Sequence, residues 1–112
     1  MRRSLLKQVR RVVIKVGSRV LTVDSGGLDH AVIQQLSDQI AALRRQGIEV
    51  ILVSSGAVAA GRDMLAFGDR PLTIPQKQAA AAVGQPLLME AYEQACKQHE
   101  LLTAQILLTA DD

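Results

Sequence analysis

Two apolar stretches, each running directly into a turn of small residues, constrain the fold of this chain most. Residues 12–18 read VVIKVGS, and residues 51–61 read ILVSSGAVAAG. Short β-branched runs bounded by Gly and Ser are typical of strands that end in tight turns. The first strand places Lys15 close to its turn. A parallel strand buried on both faces accepts a cation there only if an anion meets it, most simply a phosphate.

The composition excludes several classes of protein. Of the 112 residues, 48% are hydrophobic and 21% are charged, which is enough to form one packed domain and argues against disorder. Basic residues cluster within the first eleven positions. Proteins that bind nucleic acids usually interleave basic and aromatic residues along one face, and this chain has one Tyr and one Phe. We therefore expect no nucleic-acid binding by this segment.

The first residues bear on where the protein resides. Residues 2–7, RRSLLK, are similar to a twin-arginine export signal, but Gln8 and Arg10 interrupt the apolar stretch that such a signal needs. Residues 1–11 are therefore interpreted as a solvated basic lead-in. No stretch approaches the roughly 18 apolar residues of a membrane span. The single Cys96 cannot form an internal disulfide and is expected to be a packed core thiol. These features predict a cytoplasmic protein with no membrane partner.

Strand and helix patterns alternate along the chain. A helix around Ile33 and Ile40 is expected to begin at the N-cap Asp29 and to end at Gly47. Gly84-Gln85, with Pro86 at a first helical position, is expected to separate two later helices. The predicted strands are Val12 to Val16, Ile48 to Val53 and Ala104 to Leu108, and the other predicted helices are about Gly56 to Leu65, Gln76 to Val83 and Pro86 to about His99.

This order predicts an α/β fold with a parallel sheet, right-handed crossovers and helices on both faces. Ligands of such sheets bind beyond the carboxyl ends of the strands, where Gly17-Ser18 and residues 54–56 lie. We therefore expect the two turns to converge on one crevice. A sheet of three strands would leave apolar surface and a strand edge exposed. Residues 12–112 are accordingly expected to be the front part of a larger domain.

Four segments combine into a narrow pattern: KVGS at 15–18, SSGAVAAGR at 54–62, KQAAAAVGQ at 77–85 and QILLT at 105–109. The first segment alone is typical of the broad amino-acid kinase superfamily. With the second and third segments, the chain resembles the glutamate 5-kinase family. The resemblance implies an αβα sandwich with a mainly parallel sheet, the amino-acid kinase fold, present here as an N-terminal fragment.

The same resemblance implies an activity and site residues. Glutamate 5-kinases use ATP to phosphorylate the side-chain carboxylate of L-glutamate to L-glutamyl 5-phosphate, the first step of proline biosynthesis. Lys15 would be the catalytic lysine that binds the ATP phosphates, and the Gly17 and Ser18 amides would line the same pocket. Ser55 would bind glutamate. Gly56 and Ala57 would offer it backbone amides at a helix N-terminus.

Cofactors and partners are implied in the same way. Mg²⁺ would bridge the ATP phosphates, and no metal ligand is assigned in this segment. A carboxylate acceptor with a pKa of about 4.3 is already ionised, so no general base is needed. Family members form homo-oligomers and are inhibited by proline. The family's remaining glutamate ligands, second phosphate lysine and base loops would lie beyond Asp112, so we expect the 112 residues alone to be inactive.

Simpler interpretations of these residues remain open. Lys15 could be a solvated strand-end charge, and Ser54 or Ser55 could be a helix N-cap. His30 and His99 are too far apart in sequence, with too few other ligand types nearby, to suggest a metal site.

Two other functions also remain open. The spacing of Gly56 and Gly61 matches a Walker A loop, which would indicate a P-loop nucleotide-binding protein. However, Arg62-Asp63 stands where that motif requires Lys followed by Ser or Thr. Alternatively, the chain is a non-catalytic folded fragment that retains only structural contacts.

Overall fold

The computed structural model describes residues 8–106, and within them each of two strands is followed by a pair of helices. The elements are β1 (Arg11–Val16), α1 (Ser18–Leu21), α2 (His30–Arg45), β2 (Glu49–Ser54), α3 (Ala57–Met64) and α4 (Ile74–Lys97). The first two predicted strands and the helix that follows the second turn agree with these bounds to within one residue.

β1 and β2 pair in parallel, in a register that runs from Arg11 opposite Glu49 to Val16 opposite Ser54. The connection between two parallel strands must cross over the sheet, and α2 lies in this connection. The predicted α/β class with a parallel sheet is therefore confirmed.

Local signals account for both ends of α2. The Asp29 side chain accepts hydrogen bonds from the backbone N–H groups of Ala31 and Val32, at 3.1 and 3.2 Å. This satisfies two of the donors that a helix N-terminus leaves free. After the helix, Gly47 adopts a left-handed φ of 80°, which turns the chain into β2 and which a residue with a side chain rarely adopts.

The helices pack against one face of the sheet. The core cluster consists of Val16, Leu21, Ile33, Leu88, Ala91, Tyr92 and Ala95. Cys96 is buried beside this cluster, with its thiol 3.7 Å from the Ser37 hydroxyl, which confirms the prediction of a core thiol.

The other face of the sheet is uncovered in the part of the chain that the structure describes. Val13 is 62% exposed and Val53 is 47% exposed, and Lys15 and Ile51 on the same face are also exposed. The second helical layer of an αβα sandwich, and the burial of Lys15 from both sides, are therefore not found within residues 8–106.

The prediction of two helices in the second half of the chain is wrong, because α4 is one helix of 24 residues that includes Pro86. It begins with a capping box in which the Thr73 hydroxyl accepts from the Gln76 amide and the Gln76 side chain accepts from the Thr73 amide. Gly84 lies inside the helix, where it contacts the backbone of α3. This packing outweighs the cost of an interior proline, which is about 3 kcal/mol.

Within the described residues, the third predicted strand does not form. Ala104, Gln105 and Ile106 have no regular secondary structure, and Leu107 and Leu108 lie outside the described residues. The Gln105 side chain instead accepts a hydrogen bond of 3.3 Å from the Gln85 side chain of α4. This part of the chain therefore runs beside α4 and does not pair with the sheet.

The segment between β1 and α2 contains a short helix and a bridge that are not among the predicted elements. α1 brings Leu21 to full burial, and an isolated antiparallel bridge joins Thr22 to Leu28. Among the described helices, none has the length and apolar composition needed to cross a bilayer.

Candidate functional site

The two turns predicted to meet are adjacent in the structure. The register ends with Val16 opposite Ser54, and the next residue, Ser55, donates a backbone hydrogen bond of 3.0 Å to the Val16 carbonyl. Gly17 and Ser55 therefore leave the same edge of the sheet side by side. The expected convergence of the two turns at one edge of the sheet is confirmed.

The first turn presents a cation and an open backbone. Lys15 is exposed on the uncovered face of the sheet, opposite Val53 in the register. Gly17 is also exposed, and a Cβ placed on it would meet no atom within 4 Å. With a φ of −85°, Gly17 is not required by the backbone conformation. The absence of a side chain at Gly17 leaves space above the turn beside Lys15 and Ser18.

The second turn depends on Gly56, whose φ of 116° is strained for any residue with a side chain. The side chains of Leu21, Leu28 and Leu88 lie within 3.7 Å of the position that a Cβ on Gly56 would take. Apolar groups thus support the turn from below. The exposed Ser55 lies immediately before it.

Gly56, and neither serine, is the N-cap of α3, and no side chain caps this helix. The first backbone N–H groups of a helix have no partner within the helix and carry partial positive charge. These groups begin here at Ala57. The interpretation of Ser54 or Ser55 as a simple N-cap is therefore wrong, and the turn combines a hydroxyl with free amides in the way that anion sites do.

Ser54 differs from Ser55 because its hydroxyl is engaged by the protein. Its Oγ lies 2.9 Å from the Ser55 carbonyl oxygen and 2.9 Å from the Tyr92 hydroxyl of α4. Tyr92 is only 5% exposed, and burial raises the pKa of its phenol. The sequence patterns gave no sign of this contact, since 38 residues separate the two partners.

Two close contacts seat α3 on α4. A Cβ on Gly61 would collide with the backbone of Ala80, and a Cβ on Gly84 would collide with the Ala57 carbonyl. Gly61 is thus a packing residue within a helix. The stretch from Gly56 to Gly61 forms no open loop, which disfavours the P-loop alternative.

A cleft of about 270 Å³ lies on another side of α3, where the hairpin that contains Gly27 and Leu28 meets α3 and α4. Asp63 and Glu90 contribute carboxyl groups to its lining. These groups would repel a phosphate or a second carboxylate, so the cleft is not the predicted anion site. Within the described part of the chain, no three His, Cys, Asp or Glu side chains are grouped to hold a metal ion.

Comparison with known proteins agrees with the resemblance seen in the sequence motifs. The model of the Amino acid kinase family matches residues 10–112. The chain is 76% identical to a glutamate 5-kinase of Trichlorobacter lovleyi and 60% identical to one of Geobacter sp. strain M21. Each alignment covers 100% of this chain and 30% of the relative. A glutamate 5-kinase of Thermobifida fusca is 54% identical over 98% of this chain.

The chain thus spans about 30% of the length of these curated relatives. The family match extends over both turns, all of the helices and both strands described above. The chain therefore belongs to the amino acid kinase family.

Proposed function

We propose that this chain is the N-terminal part of a glutamate 5-kinase, with residues 12–112 belonging to the kinase domain and residues 1–11 leading into it. The enzyme transfers the terminal phosphoryl group of ATP to the side-chain carboxylate of L-glutamate and yields L-glutamyl 5-phosphate for proline biosynthesis. The adjacency of Gly17 and Ser55 carries this proposal, because phosphoryl transfer requires donor and acceptor to lie side by side.

The first turn would bind the donor. Lys15 supplies positive charge to the phosphates and stabilises the charge that shifts during transfer, which is its catalytic role. The exposed Gly17 and Ser18 provide backbone amides close by, and the space above Gly17 allows a phosphate to approach the main chain. Mg²⁺ would arrive bound to the ATP phosphates through their oxygen atoms.

The second turn would bind the acceptor. The Ser55 hydroxyl is exposed, and the amides of Gly56 and Ala57 lie at the start of α3. Together these groups suit a carboxylate of glutamate. The carboxylate that attacks is ionised at neutral pH, so the reaction needs alignment and charge neutralisation and no general base.

The finer properties concern the complete protein. We propose that it is cytoplasmic, that it forms homo-oligomers and that proline inhibits it. We also propose that the 112 residues by themselves are inactive, since the relatives named glutamate 5-kinase are more than three times as long. Turnover by the 112-residue chain would refute the last proposal.

A trapping assay on the full-length enzyme tests the main proposal. An acyl phosphate reacts with hydroxylamine to give a hydroxamate, so glutamate, Mg-ATP and hydroxylamine together should yield both ADP and glutamyl hydroxamate. Aspartate and N-acetylglutamate serve as matched acceptors. ADP release that does not depend on glutamate, or that forms no hydroxamate, would refute the assignment.

A further inference from the structure

We propose that Tyr92 is a positioning residue for the second turn, residues 54–57. It would act through a hydrogen-bonded relay from the Tyr92 hydroxyl to the Ser54 hydroxyl and on to the Ser55 carbonyl. The inference rests on the proposed function, in that Ser55 and Gly56 are taken to contact glutamate. Tyr92 itself would touch no substrate.

The chemistry of the three groups decides which of them donates each hydrogen bond. A carbonyl oxygen can only accept, so Ser54 must use its single proton in the 2.9 Å bond to the Ser55 carbonyl. The 2.9 Å contact between the Ser54 and Tyr92 hydroxyls then requires Tyr92 to donate. Burial raises the pKa of Tyr92, so its hydroxyl keeps its proton at physiological pH and the donation persists.

The hydrogen bonds from Tyr92 through Ser54 fix one peptide group of the turn. The Ser55 carbonyl and the Gly56 N–H belong to the same planar peptide, which is trans, and they point in opposite directions. When the carbonyl is held towards Ser54, the Gly56 N–H is held away from it. The structure describes no bond from the exposed Ser55 hydroxyl to the protein. The bond from Ser54 to the Ser55 carbonyl therefore holds the turn together with the bond from the Ser55 N–H to the Val16 carbonyl.

One face of α4 supports the whole turn. Gly84, Leu88 and Tyr92 follow one another at intervals of four residues, which places them on the same side of a helix. Gly84 lies against the Ala57 carbonyl, Leu88 lies beneath Gly56, and Tyr92 reaches Ser54. Gly84 and Leu88 thus support the turn by packing alone. Of these three residues, only Tyr92 also orients a peptide group by hydrogen bonding.

Kinetics on the full-length enzyme provide the first test. Tyr92→Phe removes the hydroxyl and keeps the buried ring, so the KM for glutamate should rise about fivefold or more while the KM for ATP stays within about twofold. Ser54→Ala should have a similar effect, and the double variant should be no worse than either single variant, because both break one relay. Ser54→Thr keeps a hydroxyl and should restore the KM.

Ser37→Ala is the matched control. Ser37 is a fully buried serine of α2, and its hydroxyl contacts the thiol of Cys96 on α4 rather than a residue of the turn. Its loss should leave the KM for glutamate unchanged. A similar rise in both serine-to-alanine variants would indicate general loosening of the core and would overturn the proposal.

Hydrogen–deuterium exchange separates failure of this inference from failure of the proposed function. In Tyr92→Phe and Ser54→Ala, the Ser55 amide, which is bonded to the Val16 carbonyl, should exchange faster, whatever the substrate of the enzyme. Unchanged exchange in both variants would refute the hydrogen-bonded relay. Faster exchange with an unchanged KM for glutamate would refute its positioning role. An enzyme with no glutamate-dependent activity but with faster exchange would refute only the assigned substrate.

Discussion

Gly84 of α4 lies directly against the backbone carbonyl of Ala57, the first residue of α3. Gly61 makes the reciprocal contact from α3 to the backbone of Ala80. Both glycines are buried inside helices, where glycine lowers helix stability. Their presence is explained by the close approach of the two helices, which also determines where the second turn, at the start of α3, lies.

Substitution of either glycine by alanine should therefore destabilise the protein. Alanine favours a helix by about 1 kcal/mol, but overpacking of a close helix contact costs about 1–3 kcal/mol, and here the added carbon would meet backbone that cannot rotate away. We expect Gly84→Ala and Gly61→Ala to lower the free energy of unfolding in denaturant titrations. Gly17→Ala, with no neighbour within 4 Å, is the control for stability. A stabilised Gly84→Ala variant would contradict the close contact.

Lys15→Met tests the phosphate role of the first turn. The charge of Lys15 should matter more in the transition state than in the bound state, so kcat should fall about 10²-fold or more, equivalent to roughly 3 kcal/mol. The fold should persist, because the side chain is exposed. Lys77→Met, which removes another exposed lysine from α4, should keep a normal kcat. A near-normal kcat for Lys15→Met would show that this lysine is merely solvated.

Ser55→Ala tests the acceptor role of the second turn. A hydrogen bond to a charged group contributes roughly 1.5–3 kcal/mol, so the KM for glutamate should rise about tenfold or more with the KM for ATP nearly constant. Because Gly56 caps α3, the variant should not show the loss of about 1 kcal/mol that removing a cap causes. Steady-state kinetics and a thermal melt measure both quantities, with Ser25→Ala as an exposed-turn control. An unchanged KM for glutamate would remove Ser55 from the site.

Asp38→Asn tests a contact that joins α2 to the C-terminal end of α4. The Asp38 carboxylate lies 2.6 Å from Nε2 of His99 and accepts a bond of 3.0 Å from the Gln34 side chain. The bond with His99 is the largest cause, and that with Gln34 the next, of a pKa for Asp38 below its usual 3.8.

A lowered pKa in the folded state means that Asp38 stabilises the protein above pH 3.8 and that this contribution disappears as the pH falls through the folded-state value. Asp38→Asn should therefore lower the melting temperature slightly at neutral pH, and the difference from the unsubstituted protein should shrink in increasingly acidic buffer. The exposed Asp24→Asn is the control. A difference that grows on acidification would contradict the assignment.

The elements that sequence reasoning predicted best are those with local signals. Asp29 caps α2 and Gly47 ends the turn after it, as their positions in the sequence indicated. The split of α4 at Gly84 and Pro86 was wrong because a contact with α3, distant in sequence, outweighs the local tendency to break the helix. The third strand was predicted from an apolar run, and in residues 104–106 that run has no neighbouring strand with which to pair.

For the site, the amino-acid sequence by itself determined the chemical groups and the strand ends that carry them: Lys15 before one turn and Ser55 before the other. Parallel pairing then follows from general rules, since the carboxyl ends of parallel strands share one edge. Only the tertiary structure decided which of two adjacent serines is free to meet a ligand. Ser54 is held by Tyr92, and Ser55 is left exposed, because hydrogen bonds between residues far apart in the chain depend on how α4 packs beneath the turn.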